Sequence, residues 1–323
     1  MNSNLITQKF QAEMLSVGLL PPSESIEQAT FIKQEITAVT LNELLSMELP
    51  QRGYLLAPWL PTSGLCMVYA KRGVGKTFFA LEVAMAVSYG AQFLSFKAPK
   101  PARVLYIDGE MPANSMQERL RNIKKRMPNA ENFIEPFFIT PDLLGDSIPD
   151  LNTASGQHSI AHLVDQADLI IVDNISTLSG GKENEAESWI PLQTWALKLR
   201  RKGKSVLFIH HAGKSGAQRG TSKREDTLDT VIALKHPDNY EASMGACFET
   251  HFEKTRGIMG DCVRPILCQL TDSGWTSQAL RFESNHDRVM ELYGEGLKQN
   301  EIVKQLGLSK SQVSKIISKN RMD

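Results

Sequence analysis

Apolar positions follow two rhythms along this chain. Short unbroken apolar runs recur at residues 65–70, 103–107, 137–139, 169–172 and 205–210. Between them, stretches at 76–88, 112–126 and 185–201 carry apolar residues at helical spacing. A continuous apolar run of this length suits a strand buried on both faces, and alternation with helices is the pattern of crossover connections. The expected core is therefore α/β, with a mostly parallel twisted sheet. After His211 the runs shorten, and strands are expected at 230–234, 247–252 and 265–270, extending the sheet in antiparallel fashion. Phe10, Met14, Leu15 and Leu19 have helical spacing until Pro21-Pro22-Ser23 stops them. So short a helix cannot bury its stripe alone, and must dock elsewhere, a neighbouring subunit being one place. Thr40 is placed to cap a short helix over 41–47. The chain thus divides into a leader (1–38), an α/β domain (39–284) and a helical tail (285–323).

Composition narrows the class. Lys plus Arg and Asp plus Glu both number 36, so no global field draws the chain onto nucleic acid, and any such binding must come from local patches. Cys66, Cys247, Cys262 and Cys268 are scattered without a C-x-x-C pair, which argues against zinc and against a disulfide framework. The first thirty residues lack a basic segment followed by an apolar core, and nowhere do eighteen apolar residues run together. A cytoplasmic protein with no membrane partner is expected.

The strongest chemical signal is Ala70-Lys71-Arg72-Gly73-Val74-Gly75-Lys76-Thr77, which follows one apolar run and opens a helix at Phe78. Strand, glycine loop, Gly-Lys-Thr and helix is the context of a phosphate-binding loop, which implies ATP with Mg²⁺. Gly73 and Gly75 let backbone N–H groups turn toward phosphate oxygens, and the helix presents its positive end. Lys76 then reaches the β- and γ-phosphates, and the Thr77 hydroxyl ligates Mg²⁺. Ala70 stands where the motif has its first glycine, a mild change if its backbone is extended. Asp173 ends an apolar strand and is the second expected metal ligand. Glu110 ends the strand one crossover after the loop, which would set it beside the γ-phosphate as the group that activates water. Asp108 is its rival, although it precedes Gly109 and could merely shape the turn.

The order of phosphate loop, strand-Gly-Glu, strand-Asp-Asn and strand-His-His resembles the hexameric RepA-type plasmid replicative helicases, RecA-fold relatives of the DnaB family. The similarity covers about residues 53 to 275. It implies a RecA-like P-loop core in which Glu110 activates water and Asp173 binds the metal. It also implies that His211 touches the γ-phosphate and couples it to a pore loop holding Lys214, Arg219, Lys223 and Arg224; His210 is read as a strand cap. Phe252-Glu253-Lys254-Thr255-Arg256 has the Lys-x-Arg spacing of that family, in which the arginine reaches a neighbouring subunit's ATP and the lysine assists. Period-two spacing would put both on one strand face.

In the tail, residues 297–317 read as a helix-turn-helix. Gly307 makes the turn, Ser309 caps the second helix, and Ile302, Val303, Leu306, Val313, Ile316 and Ile317 point inward. Lys310, Gln312, Ser314, Lys315 and Lys319 are left for DNA. Lys298, Lys304, Lys310, Lys315, Lys319 and Arg321 outweigh Glu301 and Asp323, so the tail is locally basic. The resulting expectation is an ATP-driven DNA motor: a homo-oligomeric ring, most simply a hexamer, with single-stranded DNA in its pore and duplex on the tail. An ATP-switched DNA-binding regulator and a RecA/RadA-like recombination ATPase are the alternatives.

Overall fold

The computed structural model describes residues 38–49, 51–127, 132–145, 148–180, 189–213, 225–280 and 285–319. The chain divides into two compact units, Met1–Gln51 and Arg52–Asp323. The leader stripe from Phe10 to Leu19 lies outside the described residues. In the first unit, α1 (Leu41–Ser46) starts at Thr40. The Glu43 amide donates to Thr40 Oγ1 (3.3 Å) and the Thr40 amide to Glu43 Oε2 (2.7 Å), a reciprocal cap that sets where the helix begins.

The second unit begins with a small antiparallel pair, β1 (Tyr54–Leu56) and β2 (Leu60–Pro61). Then follow β3 (Leu65–Ala70), α2 (Lys76–Tyr89), the short pair β4 (Gln92–Phe93) and β5 (Phe96–Lys97), β6 (Val104–Asp108), α3 (Ala113–Arg126) and β7 (Phe137–Ile139). Three short helices, α4 (Pro141–Leu144), α5 (Ala154–Ser159) and α6 (Ala161–Gln166), lead to β8 (Leu169–Asp173). Next come α7 (Ile175–Leu178), α8 (Ile190–Arg201), β9 (Ser205–His211), β10 (Thr230–Lys235), β11 (Cys247–Thr255), β12 (Ile266–Thr271) and β13 (Gly274–Ala279). The tail holds α9 (Asn285–Gly294), α10 (Gln299–Leu306) and α11 (Lys310–Lys319).

Nine strands form one sheet in the order β13-β12-β11-β10-β3-β9-β8-β6-β7. From β10 to β7 all neighbours are parallel, whereas β11, β12 and β13 are antiparallel. This is an α/β architecture built on a mostly parallel sheet with an antiparallel edge. One expectation is corrected here: β10 pairs in parallel with β3, Thr230 opposite Cys66, and the antiparallel extension starts only at β11. Strand β10 lies on the side of β3 away from β9 and runs in the same direction as the core strands. A short strand's sequence carries no record of that direction.

Both faces of the sheet are covered, which explains the unbroken apolar runs. Cys66, Val68, Tyr106, Ile171, Leu207 and Ile209 pack under α2 and α3. Their alternates Met67, Leu105, Ile170, Val172 and Phe208 pack under α6 to α8. The helix α2 is buried along almost its whole length, with Phe79 at the centre of an aromatic cluster: Trp59 at 6.0 Å, Phe93 at 5.3 Å and Phe248 at 6.2 Å between ring centroids. Removing that ring would cost about 3–5 kcal/mol. Glu82, on the same helix, is 4% exposed. Its Oε1 accepts from the Trp275 indole of β13 (2.7 Å) and from Arg126 of α3, so one carboxylate ties three elements together. Burial pushes its carboxyl up, against the pull of the Arg126 charge and the Trp275 hydrogen bond.

Across the sheet's other end, Arg52 grips Asp229 with both nitrogens (2.9 and 2.7 Å), and the Leu65 amide donates to the same carboxylate (2.9 Å). Burial opposes the Asp229 charge, yet the Arg52 fork and that amide outweigh it and hold the carboxyl below its usual range. The tail has a small core of its own, made of Val289, Ile302, Val313 and Ile317. Among the described residues no helix is long and apolar enough to cross a membrane.

Candidate nucleotide site

Ala70, His211, Asp173 and Asp108 all stand at the carboxyl ends of parallel strands. Ala70 lies opposite His211, and Asp108 opposite Asp173. Ligand sites of open parallel sheets form at this edge. The loop-bearing β3 and the Asp173-bearing β8 are not neighbours: β9 runs between them and delivers His211 into the gap. A cleft of about 820 Å³ opens here, with Lys76, Thr77, Glu110, Asp173, Asn174 and His211 on its walls.

The loop holds the conformation that phosphate cradling needs. Gly73 (φ 82°) and Gly75 (φ 121°) both sit where side chains are strained. A Cβ on Gly75 would also come within 3.1 Å of the Phe248 ring. Ala70 ends strand β3 and is therefore extended, so its methyl group costs little. No side chain caps α2 at Gly75, leaving its first amides for a ligand. Lys76 Nζ donates to the carbonyls of Ala70 (3.2 Å) and Lys71 (3.1 Å). Burial lowers the Lys76 amine, while the Asp173 and Glu110 charges hold it up. Arg72, Gly73 and Phe78 line the cleft; the Lys71 side chain is exposed and Val74 is buried.

Asp173 is 4% exposed and accepts from the Tyr106 hydroxyl (2.6 Å) and from Thr77. Burial raises its carboxyl, and those two hydroxyls and Lys76 oppose the rise. A hydroxyl and a carboxylate thus converge beside the loop lysine, an oxygen pair that suits the hard Mg²⁺ ion. Thr77 and Asp173 are the residues that would hold it. Sequence reasoning passed over Tyr106, which reads as one more apolar strand residue; only its hydroxyl marks it.

The two candidate carboxylates separate cleanly. Asp108 is 2% exposed and turns inward, where its oxygens accept from the amides of Glu110 and Met111 (both 3.0 Å). Burial pushes its carboxyl up to about 7, against the pull of those amides. Asp108 shapes the turn. Glu110 extends into the cleft, its Oε1 3.7 Å from His211 Nε2. Gly109 makes this projection possible: its amide donates to Asp173 O (2.8 Å), and a Cβ would fall 2.3 Å from Thr177 Oγ1. Asn174 Nδ2 lies 3.3 Å from His211 Nε2, while Asn174 Oδ1 accepts from the Ser176 amide (2.9 Å). His210 is fully buried and stands apart from the cleft lining.

Lys254 and Arg256 lie outside this cleft. Arg256 lies just past the end of β11, so strand spacing does not place it; even so, Lys254 Nζ donates to the Glu225 carbonyl and Arg256 to the next one, Asp226. Burial and the Arg256 charge both lower the Lys254 amine. Lys214, Arg219, Lys223 and Arg224 lie outside the described residues. In the tail, Lys310, Ser314 and Lys315 are exposed, and the Lys319 side chain is outside the described set. Gln312 is exposed as well. Its Oε1 accepts from the Ser309 amide (3.0 Å) and hydroxyl (2.9 Å), so the acceptor is spent on the helix cap.

Individual curated proteins give no match. Solved structures with a similar chain path include the KaiC-like protein PH0186 of Pyrococcus horikoshii OT3 (15% identity, TM-score 0.47, covering 69% of this chain and 93% of that one). Others are the flagellar accessory protein FlaH of Methanocaldococcus jannaschii (13%, 0.47, 68% and 91%) and the RadB recombinase (16%, 0.47, 66% and 90%). The profile of the AAA domain family matches residues 32–217, which take in the phosphate loop, Glu110, Asp173 and His211. With more than half of its length matched, the chain belongs to the AAA domain family of P-loop ATPases.

Proposed function

We propose that this protein is an ATP-driven DNA motor, a ring-shaped replicative helicase of a plasmid or other mobile element. One observation carries the reading: Glu110 stands in the phosphate-loop cleft, 3.7 Å from His211, which ends β9 beside the loop-bearing β3. Lys76 binds the β- and γ-phosphates, and the loop amides orient them. Thr77 and Asp173 hold Mg²⁺, which when bound neutralises charge on the phosphate oxygens. Glu110 accepts a proton from the attacking water. His211 feels whether a γ-phosphate is present and passes this to the segment directly after β9, where Lys214, Arg219, Lys223 and Arg224 meet single-stranded DNA. Lys254 and Arg256, away from their own cleft, reach the ATP of a neighbouring subunit in a hexamer.

Strand displacement on a forked duplex tests the motor. ATP-dependent unwinding that disappears in Glu110→Gln is the expected result; robust DNA-stimulated hydrolysis with no unwinding on any fork would end the helicase reading. The tail supports a second reading, an ATP-switched regulator, because α9 to α11 build a core of their own and expose Lys310, Ser314 and Lys315. Removing residues 285–323 separates the two. A motor keeps its DNA-stimulated turnover, and a regulator loses its preferred duplex in a gel-shift competition.

A further inference from the structure

Part of the nucleotide cleft's lining is not used by phosphate chemistry: Tyr240, Gly245 and Ala246 from the β10–β11 connection, together with Phe78 and Arg119. Two aromatic rings therefore line the cleft, and they differ. The Phe78 ring is covered by the Arg119 guanidinium, 4.1 Å from its centroid. The Tyr240 ring is held from behind: His236 stacks on it at 3.5 Å between centroids and 18° between planes. His236 is itself fixed, because its Nδ1–H donates to the Cys247 carbonyl (2.9 Å). The Tyr240 hydroxyl donates to the Gly245 carbonyl (3.1 Å), which sets the remaining torsion of the ring. Tyr240 is thus a half-buried aromatic surface, buttressed on one face and locked at its tip, at the edge of a phosphate-binding cleft.

We infer that Tyr240 is the platform on which the base of the nucleotide stacks, and that this subsite selects purines by stacking area without reading their edges. The inference rests on the nucleotide reading given above. Preorganisation is what gives a single ring value here, since its ordering is completed before the ligand arrives. The lack of edge reading follows from what surrounds it among the described residues. Gly245 and Ala246 bring backbone and a methyl group, the Gly245 carbonyl already accepts from Tyr240, and Arg119 is engaged with Phe78. A site built to hydrogen-bond a base edge rejects the wrong base by orders of magnitude, whereas a stacking surface tolerates either purine. ATP and GTP should then bind within roughly tenfold of each other, and CTP more weakly than both.

Displacement of a fluorescent ATP analogue by ATP, GTP, CTP and inorganic tripolyphosphate, with Mg²⁺ throughout, tests this. Tripolyphosphate carries the charge without a base and reports on the loop alone. Tyr240→Ala should weaken ATP and GTP by roughly tenfold, the usual size of one lost base–aromatic stack, and leave tripolyphosphate unchanged. Tyr240→Phe keeps the ring and its His236 support and gives up only the hydroxyl lock, so it should lose less than Tyr240→Ala. Unchanged ATP affinity in Tyr240→Ala, equal losses for ATP and tripolyphosphate, or a preference of ATP over GTP beyond a hundredfold would each overturn the inference. If the parent protein binds neither ATP nor tripolyphosphate, the nucleotide reading itself falls, and this subsite with it.

Discussion

The nucleotide cleft and the C-terminal helices are both polar surfaces on apolar supports, but they are supported very differently. Asp173 and His211 end strands packed on both faces, Tyr106 lies within one and Lys76 opens the helix after another; all four are buried and bonded to other residues. The tail surface of Lys310, Ser314 and Lys315 rests on four buried side chains and two helix caps. Geometry in the first region is over-determined, so a substitution there alters chemistry before it alters shape. In the second, removing one side chain removes much of the support. Function in the cleft should therefore fail by rate, and function in the tail by unfolding.

The sharpest test of that contrast concerns Arg256. If it serves a neighbour's ATP, Arg256→Ala lowers turnover by roughly a thousandfold while single subunits bind ATP normally. Mixing it with Lys76→Ala protein should restore some hydrolysis, because some mixed interfaces then pair an intact loop with an intact arginine. A fully active monomer at every concentration would dispose of the ring. Next in size, Glu110→Gln should slow turnover by at least about a hundredfold with ATP binding and thermal stability preserved. Should Asp108→Asn show that kinetic loss instead, the carboxylates have been assigned in the wrong order.

Ile302→Ala, in the tail, should cost about 2–5 kcal/mol, enough to melt three short helices with so small a core. Circular dichroism would register lost helix and gel shifts lost duplex binding, while ATP turnover stays as it was; a parallel fall in turnover would mean the regions are not separable. Asp229 gives a pH test within the α/β core. Its carboxyl is held low in the folded chain, so its stabilisation is complete above its unfolded value of about 4 and is lost as pH falls through the folded one. The melting temperature of the parent protein should therefore drop more steeply between roughly pH 5 and 3 than that of Asp229→Asn. Ser309→Ala should be the mildest, about 1 kcal/mol from one lost cap, read as a small fall in tail helicity.

The two regions also differ in how far the sequence reveals them. Strand ends at Ala70, Asp173 and His211 stand out because a doubly buried strand is written as an unbroken apolar run, which a polar residue visibly stops. The phosphate loop is equally plain, since its glycines and lysine have no other common use. Pairing direction is not written that way: β10 looks like any short strand, and only its register in the sheet shows it running parallel to β3. Strand β13 escaped notice because most of its residues face solvent, leaving little alternation beyond Trp275. Side chains with two possible duties are hardest of all. Gln312 reads as a DNA contact and Tyr106 as core, and only coordinates show one capping a helix and the other holding Asp173.

The Trp275–Glu82 hydrogen bond gives the chain a built-in optical gauge. The indole N–H of an edge strand is fastened to the helix that begins at Lys76, so any shift of that helix on filling the cleft would change the polarity around this tryptophan. Light emitted far from the phosphates would then report their arrival, without any attached dye.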